Sequence, residues 1–185
     1  MPASLYEHEL IQKCCDGNRT AYRELYELYV GELMAIALRY MKTKQEAEDV
    51  LQDAFIKAFK NLASFNKLSS LKTWLTRIVI NTALNKLRKE HQSYQWDNIE
   101  IDNLEADNLP LNEFQFSELV SFIHQLPAGC KAVFNLYALE GYSHKEIADL
   151  LNIDQGTSKS QYHRAKMLLQ KMIVSEETRT KLKVI

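Results

Sequence analysis

The chain has 185 residues, of which 46% are hydrophobic, and its formal net charge of −1 at pH 7 argues by itself against a nucleic-acid-binding protein. Its 5 Gly and 3 Pro indicate a mostly helical protein with few tight turns. The 3 Cys lack the spacing of a zinc site and no run of about 18 apolar residues occurs, so we expect a cytoplasmic protein without metal, cofactor or membrane insertion.

Helices are predicted from the start of the chain. Residues 5–15 and 19–42 form the first two, and in the second the apolar residues recur at intervals of 3, 4 and 7. Thr43 and Glu46 have the spacing of a capping box, in which each residue satisfies a backbone N–H of the other. This motif predicts the start of a third helix.

The third helix has a polar face beside aromatic residues. Asp49, Gln52 and Asp53 lie opposite its apolar face, and Phe55 and Phe59 extend the apolar area beyond what one buried face needs. Such a surface is suited to docking another protein, and it is equally compatible with a solvated acidic face.

A fourth helix is predicted over residues 71–90, after a loop at residues 66–70 in which Ser69 or Ser70 acts as the cap. It is apolar on two sides and should therefore be largely buried. Its remaining strip contains basic and amide side chains that can hydrogen-bond to bases and phosphates, or simply to water. The strip comprises Arg77, Asn81, Asn85, Arg88 and Lys89.

Residues 92–112 interrupt the helical pattern. They are acidic, have no helical period and contain Pro110. The sequence therefore predicts an all-α chain of two small helical domains, residues 1–91 and 113–185, joined by an acidic flexible linker.

The second domain ends in two helices joined by a tight turn. One helix is predicted over residues 113–126. Another is predicted to begin at Pro127 and to end at Gly141, a glycine of the kind that commonly follows the last residue of a helix. Ser143 and Glu146 then form a second capping box. A short helix, a turn of three or four residues and a basic second helix are typical of a DNA-binding helix-turn-helix, although an ordinary helical hairpin would share the pattern.

Three long segments of the chain are informative when taken together: EAEDVLQDAFIKAF at 46–59, FNKLSSLKTWLTRIVINTALNKLRK at 65–89 and LPAGCKAVFNLYALEGYSHKEIADLLNIDQGTSKSQYHRAKMLL at 126–169. In register, they resemble the corresponding segments of a bacterial extracytoplasmic-function RNA polymerase sigma factor of the sigma-70 family. Together they cover most of the chain, in the order and at the spacing found in the family.

The resemblance implies three sets of contact residues. The implied residues for binding core polymerase are Asp49, Gln52, Asp53 and Phe55. The implied contacts to the −10 element, where the loop would hold a flipped base, are Asn66, Lys67, Ser69, Ser70, Lys72, Arg77, Asn81, Asn85 and Arg88. The implied contacts to the −35 element are Ser143, Gln155, Thr157, Ser158, Lys159, Gln161, Tyr162, Arg164 and Lys166.

The same resemblance implies the partners. Such a chain would be a transcription initiation factor that binds the β′ clamp helices and β flap of core RNA polymerase, directs it to promoters and helps to melt the −10 element. Its acidic linker would occupy the nucleic-acid channel of the polymerase. An anti-sigma factor is an expected partner, and catalytic residues are not expected in the chain itself.

Three positions depart from the family pattern. Lys67, Ser158 and Gln161 stand where the family usually has Gly, Val and Arg, so the promoter sequence does not carry over. Gln161 could pair with an adenine edge. The alternative to a sigma factor is a helix-turn-helix regulator that acts independently of polymerase docking, as a dimer on a palindrome. An enzyme of the helical prenyl-chain type would rest on the single acidic cluster around Asp49.

Overall fold

A computed structural model describes residues 5–66, 68–90 and 116–182, and every regular element in these ranges is helical. Residues 1–92 and 93–185 belong to two separate compact units. The all-helical fold class is therefore confirmed. The predicted linker at 92–112 lies outside the described residues, and so does Lys67; the predicted domain boundaries stay a prediction.

The first unit contains four α-helices: α1 (Leu5–Cys15), α2 (Arg19–Tyr40), α3 (Lys44–Asn61) and α4 (Leu71–Glu90). A short 3-10 turn, Leu62–Ser64, follows α3. All four helices were predicted, and α2 ends slightly earlier than expected because Met41 is extended (φ −94°, ψ 146°).

Local capping chemistry sets where these helices begin. Both hydrogen bonds of the capping box between Thr43 and Glu46 are present at the start of α3. Ser70, one of the two predicted caps of α4, accepts a hydrogen bond from the backbone N–H of Thr73 at 3.1 Å. Asn18 caps α2 by accepting from the N–H groups of Thr20 and Ala21, which the sequence had not predicted.

The core of the first unit lies between α2, α3 and α4. Each helix contributes one or two apolar stripes, and the stripe of α4 extends round most of the helix, as its sequence predicts. This packing leaves two surfaces outward: the polar face of α3 and the basic strip of α4. The buried residues include Leu25, Leu33, Val50, Leu51, Leu75, Ile80 and Leu84.

The second unit contains α5 (Phe116–Gln125), α6 (Ala128–Phe134), α7 (His144–Leu151) and α8 (Gln155–Leu182). The helix predicted from Pro127 continues beyond α6, but Asn135–Leu139 is π-helical. There the N–H of Glu140 donates to the carbonyl of Asn135, five residues back, at 3.0 Å.

The predicted helix-turn-helix is formed by α7 and α8. Gly141 has a φ of +75°, which confirms it as the glycine that ends the preceding helix. Both hydrogen bonds of the capping box between Ser143 and Glu146 are present. Asn152 closes α7 in the left-handed conformation (φ 55°), and three residues separate the two helices.

The core of the second unit lies where α5 and α6 meet α8. Ile123, Phe134, Ala165 and Leu169 are buried together there, with Tyr162 partly buried against them. This packing fixes which side of α8 faces inward and which side is left to solvent.

Candidate protein and nucleic-acid interfaces

The polar face of α3 is exposed. Asp49, Gln52 and Asp53 are all accessible to solvent and lie within about one turn of one another. Together with Tyr26 and Ile56, the first two line an open groove of about 710 Å³ between α2 and α3. The face therefore combines carboxylates with apolar contact area, as a protein-docking surface does.

Phe55 lines the same groove, although most of its surface is buried, and its docking role stays a prediction. Its side chain is only 4% exposed, because its ring packs 4.7 Å from that of Tyr26 and 5.7 Å from that of Phe59. Ile56 is instead the exposed apolar side chain of α3, at 46%. Ile56 was not predicted, because its exposure depends on how α3 packs against α2 and has no local sequence signal.

An ion pair joins the polar face of α3 to α4. Lys86 Nζ lies 3.3 Å from Asp49 Oδ2, and it also donates to the backbone carbonyl of Glu46 at 3.5 Å. Below the pair is a cleft of about 350 Å³ that is lined by residues of both helices, including Asp53 and Asn85. The two outward surfaces of the first unit therefore meet at this cleft.

The loop before α4 is held at both ends. Phe65 packs against Trp74 with 5.4 Å between ring centroids, and Asn66 Oδ1 accepts from the N–H of Leu68 at 3.2 Å. Ser69 is partly buried, and Ser70 is engaged as the helix cap.

Leu68 stands out in this loop because 87% of its side chain is exposed. The sequence analysis missed Leu68, although an apolar residue flanked by polar ones in a loop is a recognisable signal. Lys72, the second residue of α4, forms an ion pair with Glu32 at 2.7 Å.

The basic strip of α4 is exposed as predicted. Arg77, Asn81, Asn85 and Arg88 recur at helical spacing and are all accessible. Arg88 Nη1 donates to Asn85 Oδ1 at 3.2 Å, which links two neighbouring side chains of the strip. Such a row presents amide and guanidinium groups along one line, an arrangement that can follow a nucleic-acid strand.

On α8 the outward side carries polar and basic side chains. Gln155 and Lys159 are exposed, while the predicted residues further along are partly exposed: Thr157, Tyr162, Arg164 and Lys166. Ser143 is exposed at the start of α7, where its hydroxyl also bonds to Glu146 at 2.7 Å.

Two residues predicted to contact the −35 element are buried instead. Ser158 is fully buried, with its hydroxyl 2.9 Å from His144 Nδ1. Gln161 is 3% exposed, and its Oε1 accepts a hydrogen bond from Cys130 Sγ at 3.0 Å. Both precede Ala165 on its inward-facing stripe, at spacings of 7 and 4. The expectation that Gln161 reads a base is therefore wrong for its position on the helix.

Because Ser158 and Gln161 face inward, Ser160 and His163 lie on the accessible side of α8. Both are partly exposed, and His163 lies one turn after the exposed Lys159. Neither was predicted. The sequence does contain a signal for these two residues. Ala165 and Leu169 define the inward side of α8, and residues on the opposite side of the helix are therefore expected to be accessible.

An aromatic cluster joins α7 to α8. The ring of His144 stacks on Tyr137 with 4.3 Å between centroids, and Tyr162 lies 4.5 Å from Tyr137. Burial and then the nearby charge of Lys159 lower the pKa of His144, whereas burial and then Tyr137 raise the pKa of Tyr162. Both effects on His144 favour the neutral imidazole, whose Nδ1 lies within hydrogen-bonding distance of the Ser158 hydroxyl.

Within the described ranges, no three His, Cys, Asp or Glu side chains come together as a metal site. Across the same residues, no helix has both the length and the apolar character needed to cross a bilayer.

Comparisons with known proteins identify both units. Residues 25–93 match the family described as Sigma-70 region 2, and residues 116–169 match Sigma-70, region 4. The chain is 30% identical over 186 residues to the ECF RNA polymerase sigma-E factor of Haemophilus influenzae, covering 94% of this chain and 98% of that protein. It is 30% identical to the ECF RNA polymerase sigma factor SigW of Bacillus subtilis, over 88% of this chain and 94% of that protein.

A solved structure is similar to most of the chain. It is the sigma factor RpoE of Bartonella quintana, in complex with the anti-sigma factor NepR. The two chains share 25% identity with a TM-score of 0.55, and the match covers 82% of this chain and 96% of RpoE.

Proposed function

This chain belongs to the sigma-70 family as an extracytoplasmic-function RNA polymerase sigma factor, and we propose that α3, α4 and α8 supply its contacts to polymerase, the −10 element and the −35 element. As a member of the family it is a transcription initiation factor that directs core RNA polymerase to promoters. Sigma factors act without catalysis of their own, and we assign no catalytic residue to this chain.

The observation that carries the proposal is the adjacency of two surfaces on the first unit. Carboxylates of α3, including Asp53, and amide and ammonium groups of α4, including Asn85 and Lys89, line one cleft. Their chemistry differs: carboxylates suit basic side chains of a protein, while ammonium and amide groups suit a nucleic-acid strand. A chain with both surfaces can bind polymerase and DNA together.

We assign polymerase docking to Asp49, Gln52 and Asp53, with Ile56 as a more exposed apolar contact beside Phe55. The exposure of the three polar side chains and of Ile56 supports the assignment, and the groove between α2 and α3 supplies a concave surface. Interfaces of this kind gain affinity from buried apolar contacts and orientation from charge.

We assign −10 binding to the loop at residues 66–70 and the strip of α4. Opening a base-pair step costs on the order of 1–2 kcal/mol, which charge neutralisation alone does not supply. A site that binds an unstacked base, and not the paired one, shifts the equilibrium toward the open form. The exposed side chain of Leu68 would supply an apolar surface for such a base, while Arg77 and Arg88 contact phosphates.

We assign −35 recognition to the outward side of α8. Lys159, Arg164 and Lys166 neutralise phosphates, and Ser160 and His163 take the place of Gln161 and Ser158 as candidates for contact with base edges. The phase of the helix supports this change, since the inward side is committed to the core.

An anti-sigma factor is a further proposed partner. Its support is the similarity of this chain to RpoE of Bartonella quintana, whose structure contains the anti-sigma factor NepR. An inhibitor of this kind should co-purify with the chain when expressed beside its genomic neighbours.

The test is reconstitution with purified core RNA polymerase. We expect the full chain to bind core and to give initiation at specific sites on genomic DNA fragments, which core alone does not give. A chain that binds a palindrome as a dimer and leaves core polymerase unchanged would instead be an independent helix-turn-helix regulator.

A further inference from the structure

Asp49 is shared between two roles in the first unit. It lies on the polymerase-docking face of α3, yet one of its oxygens faces Lys86 of α4, with 3.3 Å between Oδ2 and Nζ. The two residues are 37 positions apart in sequence, so the pair is a tertiary contact. The side chain of Asp49 is 62% exposed and that of Lys86 is 28% exposed, which leaves the carboxylate open to a partner from outside.

Lys86 is also placed beside the DNA-facing strip. It lines the cleft together with Asn85 and Lys89, which flank it on the exposed side of α4. Lys57 lines the same cleft but donates to the hydroxyl of Thr82 at 3.1 Å instead of to a carboxylate. The two lysines therefore share a site and a charge but differ in their partner.

We propose that Lys86 is transferred from Asp49 to a DNA phosphate when the chain joins core polymerase, an inference that rests on the docking role of α3 proposed above. A cationic side chain of the polymerase that approaches Asp49 meets the positive charge of Lys86 at short range, and the two cations repel each other. This repulsion weakens the hold of Asp49 on Lys86 and lets the ammonium leave the carboxylate. The long, flexible lysine stem can turn toward Asn85 and Lys89, which belong to the strip of α4 proposed above to contact the −10 element.

The transfer couples the two binding events. In the free chain, Asp49 neutralises a lysine that could otherwise contact phosphate, so the affinity of α4 for DNA is reduced. Polymerase binding removes this competition, and by thermodynamic reciprocity DNA binding strengthens polymerase docking by the same factor. The ion pair thus favours DNA binding by the assembled holoenzyme over DNA binding by the free chain.

The test compares Lys86→Gln and Lys57→Gln in the full chain. Without its internal competitor, Asp49 should bind core polymerase about two- to fivefold more tightly in the Lys86 variant, as expected for an exposed ion pair. Holoenzyme containing this variant should bind labelled single-stranded DNA of mixed sequence more weakly, with a salt slope lower by about 1. The Lys57 variant loses the same charge from the same cleft and should leave core affinity close to that of the unmodified chain.

A third variant separates the possible outcomes. In an Asp49→Asn background, Lys86→Gln should no longer change core affinity, because no carboxylate remains to be released. Unchanged or weaker core binding by Lys86→Gln alone would overturn the transfer, and so would a gain in core affinity that persists in the Asp49→Asn background. If Asp49→Asn by itself leaves core affinity unaltered, the docking role of α3 fails and the transfer fails with it.

Discussion

Cys130 and Gln161 form a hydrogen bond inside the second unit, with 3.0 Å between Sγ and Oε1 and both side chains buried. The bond joins α6 to α8, so the glutamine holds α8 in place. It also keeps a residue whose chemistry suits base reading off the side of α8 that we propose contacts the −35 element.

Replacing Gln161 with Ala is therefore expected to destabilise the protein without changing its promoter preference. The change leaves a cavity and removes the acceptor of the Cys130 thiol, at a cost of about 1–3 kcal/mol. Thermal unfolding of the second unit should shift to lower temperature. Selection from a promoter library should return the same −35 sequences as before. An altered −35 preference would mean that Gln161 faces DNA after all.

His163 and Lys159 should affect −35 binding in different ways. The imidazole of His163 can donate to or accept from a base edge, so His163→Ala should change which base is preferred at one position, by about 1–3 kcal/mol. Lys159→Ala should weaken binding to all sequences alike and lower the salt slope by about 1. The measurement is library selection by holoenzyme at two salt concentrations. If the His163 variant and the unmodified chain select identical −35 sequences, His163 does not contact a base edge.

The carboxylates of α3 should matter for binding and not for folding. Asp49 and Asp53 are both exposed, and exposed substitutions usually change stability by less than about 0.5 kcal/mol. The double change to Ala should therefore preserve the helical signal and melting temperature while weakening affinity for core polymerase. Glu27→Ala on α2, outside the groove, is the matched control, since it also removes an exposed carboxylate. Equal affinities of both variants for core would argue against docking through α3.

The second unit should lose stability on acidification through His144. Its pKa is lowered in the folded state by burial and then by Lys159, so the unfolded chain takes up a proton first as the pH falls. The contribution of His144 to the free energy of unfolding is therefore complete above the ordinary histidine pKa of about 6.5, and it declines as the pH falls below that value. Unfolding in urea at several pH values measures the effect. His144→Gln, which can still bond to Ser158, should show a smaller loss between about pH 7 and pH 5.

The three cysteines should differ in reactivity toward a thiol reagent. Cys15 is exposed, whereas Cys14 and Cys130 are buried, and burial raises the pKa of each of these two to about 11. Since the thiolate is the reactive form, one thiol should react quickly in the native protein and two only on unfolding. Rapid reaction of all three under native conditions would contradict the packing around α1 and α6.

The elements that sequence predicted best are those set by local chemistry. The capping boxes at Thr43 and Ser143 and the terminal glycine at Gly141 each depend on residues a few positions apart, and all three are present. The spacing of apolar residues along α8 also indicates which side of the helix is buried. Gln161 lies on that side, but its polar side chain favoured a surface role in the sequence-based prediction. The contact between Asp49 and Lys86 has no local signal, because it depends on how α3 packs against α4.

Leu68 has one more consequence, for how this protein can change over generations. An exposed leucine leaves about 1.5–3 kcal/mol of transfer free energy unrealised in the free chain, so replacing it costs the fold little. The neighbouring contacts that hold the loop, Phe65 on Trp74 and Ser70 on Thr73, do not involve its side chain. If the loop binds an unstacked base as proposed, a single codon change at this position would alter what the loop recognises while the protein remains folded, and the set of controlled genes could change without change in the scaffold.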